Sequence, residues 1–184
     1  MHDHRADTLQ RLPEPMIMAA RVLVAFASKL GSTEEIARAI AAVITEQGHE
    51  AAAVSVREVR SLEEWDAVVL GSALYAAHWQ RDANKFVERH KGALAARPLW
   101  IFSSGPLDQR QARANLPLTE HAAAILQGLV YRDHRTFGGR LEPDAPVDPQ
   151  VLKTHPIGDF RDWDAIRAWA GSIAAALTAD VAGA

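Results

Sequence analysis

The fold is decided by Arg21-Val-Leu-Val-Ala-Phe-Ala-Ser-Lys-Leu-Gly-Ser-Thr-Glu-Glu-Ile36. Val22 to Ala27 is a continuous apolar run, short enough for a strand buried on both faces. A helical period begins at Ile36 and continues through Ile40, Val43 and Ile44. The residues between carry chemistry: Ser28, Ser32 and Thr33 bring hydroxyls, and Gly31 permits a tight turn. The first turn of a helix leaves N–H groups unpaired, and its dipole favours an anion. Strand, hydroxyl-rich turn and helix start together predict a phosphate cradle. The same residues also read as a capping box, with Ser32 at the N-cap and Glu35 three positions on. The Gly-Lys-Ser/Thr of a nucleotide-triphosphate loop and the three-glycine dinucleotide pattern are both missing.

Outward from this stretch the chain alternates strands and helices. Glu50–Val56 and Ala67–Gly71 read as strands two and three, with Gly48 closing the first helix. Ser72–Arg81 is a loop, and Asp82 is placed as the N-cap of a helix through Lys91. Pro98–Phe102 and Leu129–Phe137 read as strands four and five, with a helix over Gln111–Gln127 interrupted or started late by Pro117. Trp163–Ala179 is a final amphipathic helix. Gly138–Asp162 has no period and carries Pro143, Pro146, Pro149 and Pro156. Residues 1–20 are read as a tail and 21–184 as one domain. The alternation predicts a three-layer αβα sandwich with a five-stranded parallel sheet, order 2-1-3-4-5. In such a sheet the loops after strands one, three and four meet at one end, and ligands bind there.

The 184 residues are 48% hydrophobic and 23% charged, an ordinary globular balance. A net charge of −3 argues against a nucleic-acid partner. The absence of cysteine excludes disulfides, thiolate metal sites and a cysteine nucleophile. No run approaches the ~18 apolar residues of a membrane span, and the first fifteen residues lack a signal-peptide core, so a cytoplasmic protein is expected. The histidines have no metal-ligand spacing.

Ser28, Gly31 and Thr33 resemble the flavodoxin phosphate loop Ser/Thr-x-Thr-Gly-x-Thr, with Leu30 departing where Thr is usual and Ser32 at the free position. The resemblance to the flavodoxin superfamily runs in order and spacing from residue 21 to 108. It implies a flavodoxin-like fold that binds FMN without a covalent bond and transfers electrons with an unidentified redox partner or reductase. Ser28, Lys29, Leu30, Gly31, Ser32 and Thr33 would then hold the phosphate. Ser72, Ala73, Leu74, Tyr75, His78 and Trp79 would line one side of the flavin ring, and Ser103, Ser104 and Gly105 the other. Within the superfamily the chain is similar to the group that includes menaquinone-dependent protoporphyrinogen dehydrogenase. The likeness lies in Gly71–Leu74, His78-Trp79, Phe86-Val87 and Asp162-Trp163. That dehydrogenase group carries a longer insertion where this chain has the acidic, Pro-rich Gly138–Phe160. An electron carrier without a porphyrinogen wall is therefore expected. The alternatives are a protoporphyrinogen dehydrogenase-type oxidoreductase and a flavin-free binding domain that keeps only the fold.

Overall fold

The computed structural model describes residues 19–105, 108, 110–111 and 114–183. The expected tail lies outside the described residues except at its end. There Ala20 is buried, and its N–H donates to His49 Nδ1 at 3.2 Å.

The first apolar run is β1, Arg21–Ala27, and α1, Ser32–Glu46, follows the turn. β2 (Glu50–Ser55) and β3 (Ala67–Tyr75) flank β1, and both run parallel to it. β3 extends past the expected end at Gly71 and turns back into the two-residue β4, His78–Trp79. Next come α2 (Arg81–Ala95) and β5 (Leu99–Ser104). α3 (Glu120–Ile125) and β6 (His134–Phe137) are followed by the small strand β7 (Arg140–Leu141). The chain closes with α4 (Pro149–Thr154), β8 (Gly158–Asp159) and α5 (Trp163–Ala182). The main sheet has the order β2-β1-β3-β5-β6, all parallel, with β4 as an antiparallel appendage on β3. Without that appendage this is the expected 2-1-3-4-5 arrangement.

Helices cover both faces because both faces of the strands are apolar. On one side α1 and α5 pack Ile36, Ile40, Ile44, Ile166 and Ile173 against Val22, Val24, Val69 and Phe102. On the other, α2 and α3 pack Phe86, Val87, Leu94 and Ala122 against Leu23, Leu70 and Ile101. Each fully buried side chain of this size contributes roughly 1.5–3 kcal/mol relative to exposure.

Several boundaries differ from expectation for local reasons. Gln80, not Asp82, is the N-cap of α2, and Asp82 accepts from Arg57 Nε at 2.6 Å. Within Gln111–Gln127, Gln111 is helical and α3 follows Pro117, in line with the expected interruption there. Its start is Thr119, whose side chain accepts from the Ala122 N–H. The last strand is shorter than Leu129–Phe137, because Leu129 packs inward from a turn and Val130 stands in solvent.

The aperiodic segment after β6 is not open coil. β7 pairs antiparallel with β8, and α4 lies between them. Asp148 caps α4 by accepting from Gln150 N at 2.7 Å, and Pro149 sits in the first turn. These three elements form a strap across the C-terminal end of the sheet.

Candidate functional site

At the carboxyl ends of β1, β3, β5 and β6 lies a cavity of about 610 Å³. Its size is in the range of small-molecule sites. Ser28, Leu30, Ser32 and Thr33 line it from the first loop, and Ala73, Leu74 and Tyr75 from the end of β3. Ser104 and Gly105 line it from the end of β5. The sequence placed these residues in three separate loops, and the sheet order brings them to one opening.

The first loop forms a cradle. Gly31 is the N-cap of α1 with φ +85°, a left-handed conformation that glycine adopts without strain. Its N–H donates to Ser28 Oγ at 3.1 Å, which tightens the turn. The capping box is not formed, since no side chain caps α1. Ser32 is instead buried, and its Oγ has no hydrogen-bond partner among the described residues. Thr33 is buried beside it. A buried hydroxyl without a partner costs roughly 1–3 kcal/mol unless a ligand satisfies it. An unpaired hydroxyl at a helix start thus fits an anion with acceptor oxygens.

The second loop is a hairpin. Ala76 and Ala77 form its two-residue turn with φ of 47° and 63°, and both line the cavity. Left-handed backbone at alanine costs roughly 1–2 kcal/mol per residue, and strain of this kind collects at binding sites. Side-chain contacts hold the turn in place. Ser72 Oγ, fully buried, accepts from Gln80 N at 2.9 Å. The Trp79 N–H donates to His121 Nδ1 at 3.2 Å, and the His121 ring packs at a tilt against His78 with centroids 4.4 Å apart. Burial, followed by the charge of His78, lowers the pKa of His121. The neutral ring is favoured, and the Trp79 N–H contact selects the tautomer with Nδ1 as acceptor.

Trp79, Ser72 and Ser103 do not line the cavity. The Trp79 side chain is buried against the α2 face, and its indole N–H donates to Ser103 Oγ at 3.0 Å. His78 is exposed, and Ala76 O accepts from its Nδ1–H at 2.6 Å. Lys29 is exposed with Nζ 5.3 Å from the Tyr75 ring centroid, a cation–π contact at the cavity edge. Burial raises the pKa of Tyr75, so the phenol stays neutral.

The loops approach each other closely where glycine stands. A Cβ at Gly105 would lie 2.8 Å from Leu74 Cβ, and one at Gly139 would lie 3.3 Å from Gly105 Cα.

Sequence reasoning missed the strap. Arg140, Leu141, Val147, Val151 and His155 also line the cavity, as does Leu116. The expected absence of an apolar wall is thus not what forms, because β7 and α4 turn aliphatic side chains inward. Arg140 is tied to α1: its Nη2 donates to Glu35 Oε1 at 2.7 Å. Arg161, with only 2% of its side chain exposed, donates to Glu35 Oε2 at 2.8 Å and to Asp159 Oδ2 at 2.6 Å. The Arg161 guanidinium hydrogen bonds hold the Asp159 carboxyl below its usual pKa.

Among the described residues no helix is long and apolar enough to cross a membrane.

Comparison with known proteins agrees with this geometry. A family model described as the flavodoxin domain matches residues 23–144. Protoporphyrinogen IX dehydrogenase [quinone] of Escherichia coli K12 is 24% identical over 117 residues, which cover 62% of this chain and 65% of that protein. The chain thus aligns with less than two thirds of that relative's length. Oxidised flavodoxin 1 from Bacillus cereus superposes with a TM-score of 0.55 at 18% identity, covering 88% of this chain and 98% of that one. Rubredoxin oxygen:oxidoreductase from Desulfovibrio gigas superposes at 0.61 with 17% identity, covering 88% of this chain and 37% of that one. The family match spans all three sheet-end loops of the cavity, and the chain belongs to the flavodoxin domain family.

Proposed function

We propose that the protein binds FMN non-covalently in this cavity and serves as a redox protein. The observation that carries the reading is the buried, unpartnered Ser32 Oγ beside Thr33 at the start of α1. A phosphate satisfies both hydroxyls and the first-turn N–H groups together. Leu74 and Tyr75 on one side and Ser104 to Gly105 on the other supply the walls for a flat ring. FMN, when bound, supplies the one- and two-electron chemistry. The protein's residues grip the phosphate, hold the ring between two loops and keep water from its covered faces. Electrons reach the site from a reductase or redox partner protein yet to be identified.

One observation favours a second reading, direct oxidation or reduction of a small molecule. The strap roofs the cavity with Leu141, Val147 and Val151, and an apolar roof suits an apolar substrate beside the ring. The E. coli relative is named for such an activity.

An absorbance spectrum of the purified protein, followed by titration with FMN and riboflavin, tests the main reading. Hydrogen bonds to a charged group contribute roughly 1.5–3 kcal/mol. Thr33→Ala is thus expected to weaken FMN by about ten- to a hundred-fold while riboflavin barely changes. Equal losses for the two ligands would assign Thr33 to the fold instead. Anaerobic addition of protoporphyrinogen with a soluble quinone tests the second reading, and porphyrin fluorescence growing at about one turnover per second or faster would favour it.

A further inference from the structure

Arg140 lines the same cavity as Ser28, Ser32 and Thr33, from 105 positions along the chain beyond its partner Glu35. Glu35 stands three residues after Ser32 on α1, so the two share a helix face. The Glu35–Arg140 contact therefore ties a residue of the cavity lining to the first turn of α1. We propose that Arg140 is a binding residue for the ligand's phosphate, with Glu35 as its positioning residue. This rests on the reading of the cavity as an FMN site.

The donor count supports it. A guanidinium has five N–H donors in a fixed plane. Arg140 Nε lies 3.1 Å from Glu142 Oε1. Nη2 meets Glu35 Oε1 at 2.7 Å, and Nη1 meets Oε2 at a long 3.4 Å. One N–H on each Nη is left, and the two point to opposite sides of the plane, so Arg140 can offer a phosphate a single charge-assisted hydrogen bond without releasing Glu35.

The charges around it were weighed as well. Glu35 and Glu142 are both partly exposed, with 41% and 53% of their side chains in water, so their repulsion of an anion is screened. Glu35 is also neutralised from behind by Arg161, whose guanidinium is buried. Arg140 can lean toward a phosphate while Arg161 keeps Glu35 paired.

The competing role is mechanical: Glu35 and Arg140 could only clasp the strap to α1. The two roles differ in what they do to the two flavins. Arg140→Gln, Arg140→Lys and Glu35→Gln are titrated with FMN and with riboflavin at low and high salt. Arg140→Gln is expected to weaken FMN about tenfold or more, leave riboflavin within about twofold and flatten the salt dependence. Arg140→Lys recovers part of the loss. Glu35→Gln weakens the hold on Arg140 and is expected to weaken FMN relative to riboflavin, by less than Arg140→Gln does, and it serves if Arg140→Gln does not fold. Equal weakening of both flavins in Arg140→Gln or Glu35→Gln would overturn the proposal in favour of the clasp. Unchanged FMN affinity in Arg140→Gln would overturn it too. A wild-type protein that binds neither flavin defeats the functional reading itself, and the proposal with it.

Discussion

The indole N–H of Trp79 donates to Ser103 Oγ at 3.0 Å, joining the hairpin after β3 to the end of β5 beneath the cavity. Both residues are buried, so this bond supports the site from below. Two of the three loops are thereby held in register by one side-chain contact.

Trp79→Phe removes the donor and leaves a buried serine hydroxyl unpaired. The expected loss is about 1–3 kcal/mol of folding stability, read from urea unfolding of the flavin-free protein. FMN affinity is expected to fall less than tenfold. The reverse pattern, intact stability with FMN binding gone, would make Trp79 a ligand contact.

Ser32→Ala has the opposite signature. Its hydroxyl has no partner among the described residues, so the flavin-free protein is expected to keep or gain stability. FMN binding is expected to weaken at the same time. A stability loss above about 1 kcal/mol would mean that the hydroxyl serves the fold.

The hairpin is expected to respond to pH through His121. Its Nδ1 accepts from the Trp79 N–H, and burial lowers its pKa below the ordinary 6.5. The neutral ring is favoured in the folded state, so its stabilising contribution is present above pH 6.5. That contribution is lost as pH falls through the lowered value. Protonation would aim an N–H at the Trp79 N–H and add a charge against His78. Riboflavin is the cleaner probe, because a phosphate titrates near pH ~6 itself. Its affinity is expected to drop on acidification in the wild type and to stay flatter in His121→Asn, which keeps an acceptor. Parallel profiles in the two proteins would remove His121 from control of the hairpin.

Gly71 sits where β3 crosses the Phe102 ring. A Cβ there would lie 2.0 Å from Phe102 Cζ. Overpacking of this kind costs about 1–3 kcal/mol and sometimes more. Gly71→Ala is expected to lower the melting temperature sharply, and adding Phe102→Leu to restore part of it. No rescue by the second change would point to the β3 backbone rather than the ring.

What sequence alone determined is the frame. Apolar runs such as Val22–Ala27 and Ala67–Leu70 belong in a sheet covered on both faces, because no solvent-facing edge of polar residues interrupts them. Alternation with helices and the handedness of crossovers then set the strand order, and with it the meeting of three loops. The cradle was legible because its residues are neighbours in the chain. Periodicity could not reveal which side chains of the hairpin face the ligand. In a strand that depends on the parity of one position: His78 is exposed and Trp79 buried. Nor could it reveal the strap. Leu141, Val147 and Val151 follow no regular spacing, and only the β7–β8 pairing and the Glu35–Arg140 and Glu35–Arg161 ion pairs bring them over the cavity. Lys29 is beside the cradle in sequence yet turns to Tyr75, while Arg140 lines the same cavity from beyond the edge strand β6. Contacts so distant along the chain arise from tertiary packing, and no local pattern of residues records them.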